Sequence, residues 1–421
     1  MGRSVVIIAA GSRGDVQPCL ALGRALTGRG YAVRVVASPR YHDLITEAGL
    51  DFHALSHDPA EIVASPEGQA LLAGGRTPIG FVRGFQRVLG PLLARMLTEV
   101  QAGAEQADLV VAPSFGFLGL HLSEYLRVPH AVVHFQPSQP TRAFPHPMAP
   151  GARFLGPHGN RLSFQAVDLA SWTVSRRIVN TWRREHLGLP PMSPLAPFSR
   201  VRRAPVLCAF SPAVVPRPAD WGPNVHLTGF WFHEQPRWTP PRALLAFLAA
   251  GPPPVYVGFG SMRTRDPGAT DRAVREALRR AGLRGVLAGD PAASDHDVRG
   301  DHDIYVADAI PHDWLFPRTA AVVHHGGAGT TATALRAGVP SLVCPFFGDQ
   351  PYWAERVHRL GAGPEPLPAG RITVEALTGR LRALTAGRGY AEAARRVGAA
   401  LAAEDGVGRA CSALEGMPAA G

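Results

Sequence analysis

Hydrophobic positions along the chain fall into a repeated grammar of short apolar runs and longer helical stripes. The run SVVIIAA (4–10) is apolar and β-branched, and a glycine turn follows it. VQPCLALGRALTGRG (16–30) then spaces Leu20, Leu22 and Leu26 as a helix does, and YAVRVVAS (31–38) reads as the next strand. A strand–helix–strand unit of this kind implies a parallel sheet. DLVVAPS (108–114) and HAVVHF (130–135) read as later strands, with a helix over LGLHLSEYLRV (118–128) between them. The second half restarts the pattern. PVYVGFGS (254–261) is a strand ending in a glycine turn, and TDRAVREALRRAG (270–282) is a helix. GVLAG (285–289), DIYVAD (303–308), AAVVHHG (320–326) and SLVCPF (341–346) read as strands.

The pattern predicts two doubly wound α/β domains facing each other across a cleft. The first spans residues 1–215 and the second 241–421, with the last helix free to pack back on the first domain. Residues 216–240, rich in proline and tryptophan, read as the linker. A length of 421 residues fits two cores better than one. In open parallel sheets, ligands bind beyond the carboxyl ends of the strands. The turns after 4–10, 108–114, 254–261, 320–326 and 341–346 are therefore the places to look.

Composition narrows the class. Hydrophobic residues make up 46% and charged residues 18%, as in a globular enzyme. The longest apolar runs are too short to span a bilayer, and the first residues lack a signal-peptide cleavage pattern, so a cytoplasmic protein is expected. Cys19, Cys208, Cys344 and Cys411 are scattered without a CxxC pair, which suggests neither zinc nor a disulfide framework. The formal charge is +10, and arginine carries all of the basic charge because the chain has no lysine. The arginines are dispersed in single positions and short doublets, so a solvated surface, an anionic ligand or a weak membrane-surface contact explains them better than nucleic acid.

Chemistry concentrates in VVHHGGAGTTATALRAGVPSLVCPFFGDQPYW (322–353). A buried strand ends in His324 and His325. Gly326, Gly327 and Gly329 then lead into a helix expected to begin near Thr330. Glycines let backbone amides approach a ligand, and a helix N-terminus favours negative charge. The loop thus suits a diphosphate, with the histidine and the threonine hydroxyls as further donors. In the first half, GSRGD (11–15) lacks the full dinucleotide-binding spacing, and the second strand ends without the acidic residue that takes a ribose hydroxyl. Asp15 reads either as a helix cap or as a base at the strand–helix turn.

These motifs together resemble the nucleotide-sugar glycosyltransferases of GT-B fold in the UDP-glycosyltransferase superfamily. The chain is most similar to sterol 3-beta-glucosyltransferases and to bacterial enzymes that glycosylate glycopeptide and other antibiotics. GSRGDVQP (11–18), AFPHP (143–147), GFGSM (258–262), PHDWLFP (311–317), HHGGAGT (324–330) and GDQP (348–351) match in order along nearly the whole chain. The resemblance implies a metal-independent, inverting transfer of a hexose or deoxyhexose from a UDP- or dTDP-sugar to a lipophilic small molecule, with no further cofactor. It makes Asp15 the general base and places Ser12 beside it in the catalytic turn. His325, Gly327, Ala328, Gly329, Thr330 and Ser261 would hold the diphosphate. Asp349 and Gln350 would bind sugar hydroxyls, and Ile310 would meet the nucleobase through its backbone. Two positions depart from the pattern: Ala309 stands where a base-stacking tryptophan is frequent, and Thr333 where a ribose-binding glutamate is. The other classes in view are a catalytically silent relative that binds a ligand or activates a partner, and a membrane-surface lipid glycosyltransferase. His134 and the aromatic residues Phe81, Phe85, Phe115, Phe117, Phe135, Phe144, Phe154 and Trp172 are candidates for an acceptor pocket, most of the aromatics being core.

Overall fold

The computed structural model describes residues 3–56, 58, 90–113, 116–193, 204–234, 238–260, 262, 264, 266–289, 303–307 and 310–417. The chain divides into two compact units. The first comprises residues 1–212, 217–233 and 405–421, and the second 213–216 and 234–404.

In the first unit, seven parallel strands take the order β3-β2-β1-β4-β5-β6-β7. They are β1 (Ser4–Ile8), β2 (Ala32–Ala37), β3 (Asp51–Ala54), β4 (Leu109–Pro113), β5 (His130–His134), β6 (Val206–Cys208) and β7 (Val225–Leu227). The central strands are apolar on both faces because both faces are covered. On one side Val5, Ile7, Val35, Val111 and Val133 pack with Val16, Cys19, Leu20 and Leu22 of the helix Arg13–Thr27. The same core takes Ala410, Cys411 and Leu414 of the last helix, Gly406–Glu415, whose Glu415 pairs with Arg29 at 2.8 Å. On the other side Val6, Ile8, Val110 and Ala112 pack with the helices Gly90–Ala104, Gly116–Leu126 and Gly156–Glu185.

That second layer encloses a charge. Arg183 is buried, and its guanidinium donates to Glu124 at 3.0 Å and to the carbonyl of Pro190 at 2.9 Å, and lies 2.9 Å from Nδ1 of His121. Burial and the neighbouring guanidinium hold the His121 imidazole down to about 3, so it stays neutral and does not oppose the arginine.

Residues 216–240 differ from the expected linker. Residues 217–233 belong to the first unit, and β7 completes its sheet. The reason is burial. Trp221, Phe230 and Trp231 are all inside, and the Trp231 indole N–H donates to Oγ1 of Thr228 at 3.1 Å. The segment supplies an edge strand, Val225–Leu227, and buries its tryptophans, so the first unit runs on to His233 and the second resumes at Glu234.

In the second unit, five parallel strands take the order β10-β9-β8-β11-β12. They are β8 (Val255–Gly258), β9 (Gly285–Ala288), β10 (Ile304–Ala307), β11 (Ala321–His324) and β12 (Ser341–Val343). The helix Pro267–Ala281 begins at Asp266, whose carboxylate accepts from the Ala269 amide at 2.8 Å, and it stops at Gly282, at φ 69°. Its Val274, Ala277 and Leu278 join Val255, Val257 and Val323 in one core. Among the described residues of the whole chain, no helix is long and apolar enough to cross a membrane.

Candidate functional site

The three neighbouring strands β8, β11 and β12 each run into a turn containing a left-handed glycine: Gly260 at φ 61°, Gly326 at φ 92° and Gly348 at φ 69°. Gly326 has a second constraint, because a Cβ there would lie 2.7 Å from Cγ1 of Val343. The backbone therefore reverses tightly at Gly326 and delivers Gly327 as the N-cap of the helix Ala328–Arg336.

This helix starts two residues earlier than the threonine pair suggests. Its first backbone bond runs from the Thr331 amide to the Gly327 carbonyl, 2.9 Å. The amides of Ala328, Gly329 and Thr330 precede that ladder, and no side chain caps the helix. They are the donors that an α-helix leaves without intrahelical partners, at its positive end.

His325 stands over this end. A Cβ on Gly327 would lie 2.6 Å from Nε2 of the imidazole, and one on Gly260 would lie 3.3 Å from Cε1. The ring is thus flanked by two backbones that only glycine brings so near. Its Nδ1 is buried and has no hydrogen-bond partner among the described residues. Burial pushes the imidazole down to about 4, so it is neutral near pH 7 and offers one N–H and one lone pair. His324 plays a different part. It is fully buried in β11, its Nδ1 accepts from the Gly326 amide at 3.1 Å, and burial lowers its pKa strongly. It is a turn-holding residue of the core.

The acidic–glutamine pair is also divided by the structure. Oε1 of Gln350 accepts from the amides of Phe346 at 2.8 Å and Phe347 at 3.3 Å, and the residue is buried. Its oxygen therefore shapes the turn after β12. Asp349 is the N-cap of the helix Gln350–Arg359, half-buried, and its Oδ2 accepts from the indole N–H of Trp353 at 2.8 Å. Sequence reasoning missed Trp353. The signal was available, since residues four apart on a helix share a face. Ser261 and Ala309 lie outside the described residues, as do Phe81, Phe85, Phe115 and the side chain of Phe117. Ile310 is half-buried and packs beside Tyr256, Leu315 and Phe316. Thr333, at the departure from the ribose-binding pattern, donates its hydroxyl to the Gly329 carbonyl at 2.9 Å.

In the first unit, the turn after β1 carries Ser12 and Asp15. Ser12 is the N-cap of the helix Arg13–Thr27 and Asp15 is its third residue. Oδ2 of Asp15 accepts from the Ser12 amide at 2.8 Å and from the Ser12 hydroxyl at 3.0 Å. A Cβ on Gly11 would lie 2.3 Å from the same oxygen. The carboxylate is therefore both a cap and a fixed acceptor, half-buried at the carboxyl edge of the sheet. The two readings of Asp15 are compatible, because capping engages the oxygen that orients the group. His134 ends β5 at the same edge, where burial pushes it down to about 4. Of the aromatic candidates, Trp172 is buried, Phe135 and Phe144 are half-buried, and Phe154 is exposed. Among the described residues, no group of three His, Cys, Asp or Glu side chains is placed to hold a metal ion.

Known proteins share both halves of this architecture. Residues 5–145 match the glycosyltransferase family 28 N-terminal domain. Residues 291–413 match the erythromycin biosynthesis protein CIII-like C-terminal domain. A sterol 3-beta-glucosyltransferase of Arabidopsis thaliana is 34% identical over 418 residues, covering 97% of this chain. The chain spans 65% of that relative's length, less than two thirds of it. Among solved structures, the glycotransferase of kitacinnamycin superposes with a TM-score of 0.72 at 20% identity, over 99% of both chains. The glycosyltransferase VinC, in complex with dTDP, superposes with a TM-score of 0.67 at 19% identity, over 98% of both chains. Two parallel-sheet units and superposition over nearly the full length give one conclusion: the chain has the GT-B fold, with a first domain of the glycosyltransferase family 28 type.

Proposed function

We propose that this chain is an inverting, metal-independent glycosyltransferase that moves a hexose or deoxyhexose from a UDP- or dTDP-sugar to a hydroxyl of a lipophilic acceptor. The observation that carries the reading is the amide-lined helix end at Ala328–Thr330, with the neutral His325 ring beside it. Such an end binds a diphosphate and stabilises it further as it leaves with the electron pair of the broken sugar–phosphate bond. The sterol acceptors named for the relatives and the dTDP bound by VinC support the substrate classes.

In the reaction, the acceptor oxygen attacks the anomeric carbon as the diphosphate departs from the opposite face. A new carbon–oxygen bond forms, the old one breaks, and the proton of the acceptor hydroxyl passes to Asp15. The Ser12 amide and hydroxyl hold that carboxylate in one orientation, which a general base requires. One displacement inverts the anomeric centre, and no protein atom is bonded to the sugar.

The test is transfer from UDP-glucose and dTDP-glucose to a panel of 3-hydroxysterols and polyketide aglycones, read by mass spectrometry with and without EDTA. Products of inverted anomeric configuration, formed equally under EDTA, are expected. A retained anomer would overturn the single displacement, and activity lost to EDTA and restored by magnesium would overturn the role given to the helix amides.

The resemblance of GDQP (348–351) to the sugar-binding acidic–glutamine pair supports assigning Asp349 to a sugar hydroxyl. Asp349→Asn keeps an acceptor for the indole N–H but exchanges a charged bond to sugar for a neutral one. The difference is about 1 kcal/mol, so transfer should fall by roughly 5- to 10-fold. Affinity for free UDP or dTDP should be unchanged in calorimetry. An equal loss of both would show that Asp349 acts through the turn that shapes the phosphate site.

A further inference from the structure

Among the described residues, apolar exposure is densest in the segment 148–169. Among the described residues, eight large hydrophobic side chains are exposed, and five of them are Met148, Phe154, Leu155, Leu162 and Leu169. Phe154 is 79% exposed, Leu155 72%, Leu162 59% and Leu169 45%. Phe154 and Leu155 end the short 3-10 helix Pro150–Leu155 that leads into the helix Gly156–Glu185. Leu162 and Leu169 lie on the helix Gly156–Glu185, where a seven-residue step returns to the same face with a drift of about 20°. The opposite face of this helix is spent on the core through Phe164, Trp172, Val179 and Trp182. The leucine stripe is therefore not an unfinished core but a second, outward apolar face.

Charge accompanies it. Residues 142–185 contain seven arginines and only two acidic residues, Asp168 and Glu185. Arg142 and Arg161 are exposed around the apolar stripe, and Arg177 and Arg184 are exposed farther along the helix. The nearby Asp220 is already engaged by the Thr141 hydroxyl at 2.6 Å and the Arg142 amide at 2.9 Å. An outward helix face with Leu and Phe on the surface and arginine around it has the composition of an interfacial helix. A second copy of this chain is a poorer occupant. Two-fold pairing about Leu162 would bring Arg161 of both copies together, and Asp220, the carboxylate that acts on it, already accepts from Thr141 and Arg142.

We propose that the face from Met148 to Leu169 docks on the surface of an anionic lipid bilayer. The apolar side chains enter the acyl boundary, and Arg142, Arg161, Arg177 and Arg184 meet lipid phosphates. This extends the reading that the acceptor is lipophilic, since a sterol-like acceptor resides in a bilayer. Its test does not depend on transfer.

The experiment is cosedimentation of the full chain with vesicles of phosphatidylcholine alone and of phosphatidylcholine with phosphatidylglycerol. The wild type should sediment with the anionic vesicles, less so as salt is raised. Phe154→Ser/Leu162→Ser/Leu169→Ser should lower the partition by about 10-fold or more, given the apolar area removed, with an unchanged thermal midpoint. Arg161→Glu should weaken binding to the anionic vesicles alone. A wild-type chain that stays in the supernatant with both vesicles overturns the proposal, as does a triple variant that sediments as well as the wild type. A wild-type dimer that the triple variant splits, with no vesicle binding by either, would give this face to a second copy instead.

Discussion

Asp15→Asn should lower the turnover of glycosyl transfer by about 10²–10⁴, the usual loss when a general base is removed. The substitution separates two functions that share one carboxylate. The carboxamide oxygen of asparagine can still accept from the Ser12 amide, now 2.8 Å from Oδ2, so the helix Arg13–Thr27 keeps its cap. What is lost is the proton acceptor. Affinity for UDP and dTDP, held by the second unit in this reading, should stay near the wild-type value in calorimetry. Asp15→Ala is the companion variant. It removes base and cap together, and should add a stability loss of about 1 kcal/mol to the same kinetic defect. A folded Asp15→Asn enzyme with near-normal turnover would leave Asp15 as a cap alone and give the proton to another group.

His325→Ala should weaken binding of free UDP or dTDP by about 10- to 150-fold, the equivalent of one hydrogen bond to a charged partner. The defect should appear in binding as well as in transfer, because the diphosphate is present in donor and product alike. His325→Gln restores an N–H and should recover part of the loss. The ring is held between Gly260 and Gly327, and burial keeps it neutral with a value of about 4. In the ligand-free protein it therefore offers a directed N–H rather than a charge near pH 7. Unchanged affinity in a folded His325→Ala protein would assign the anion to the amides of Ala328, Gly329 and Thr330 alone.

Most of the architecture was legible in order and type of element. The strands at 4–8, 32–37, 109–113, 130–134, 255–258, 285–288, 304–307, 321–324 and 341–343 all fall inside the apolar runs that announced them. Buried parallel strands are apolar on both faces, so their runs are continuous and stand out. The segment 216–240 was not legible. A three-residue edge strand between prolines has too little pattern to be seen, and only its pairing with β6 shows what Val225–Leu227 is. The last helix was expected to be able to pack back on the first domain, and it does so. The residues that carry this packing, Ala410, Cys411 and Leu414, are identified only by the tertiary contacts.

At the candidate site, the chain alone determined residue types and their order: glycines where the backbone must turn at positive φ, two histidines at a strand end, an aspartate after the first strand. Those features follow from local sterics and from the polarity of a helix end, which act within a few residues. Only the tertiary structure decided which polar atoms remain available. Nδ1 of His324 accepts from the Gly326 amide, while Nε2 of His324 and Nδ1 of His325 are buried without a hydrogen-bond partner among the described residues. Gln350 is turned inward to Phe346 and Phe347, and Asp349 is tied to Trp353. These partners lie only two to four residues away, and what distant segments set is the burial of the two histidines. His324 lies within β11, inside the core, whereas His325 follows the strand end and lies against Gly260 and Gly327, where the sheet packing and the glycine turns bring three strand ends together.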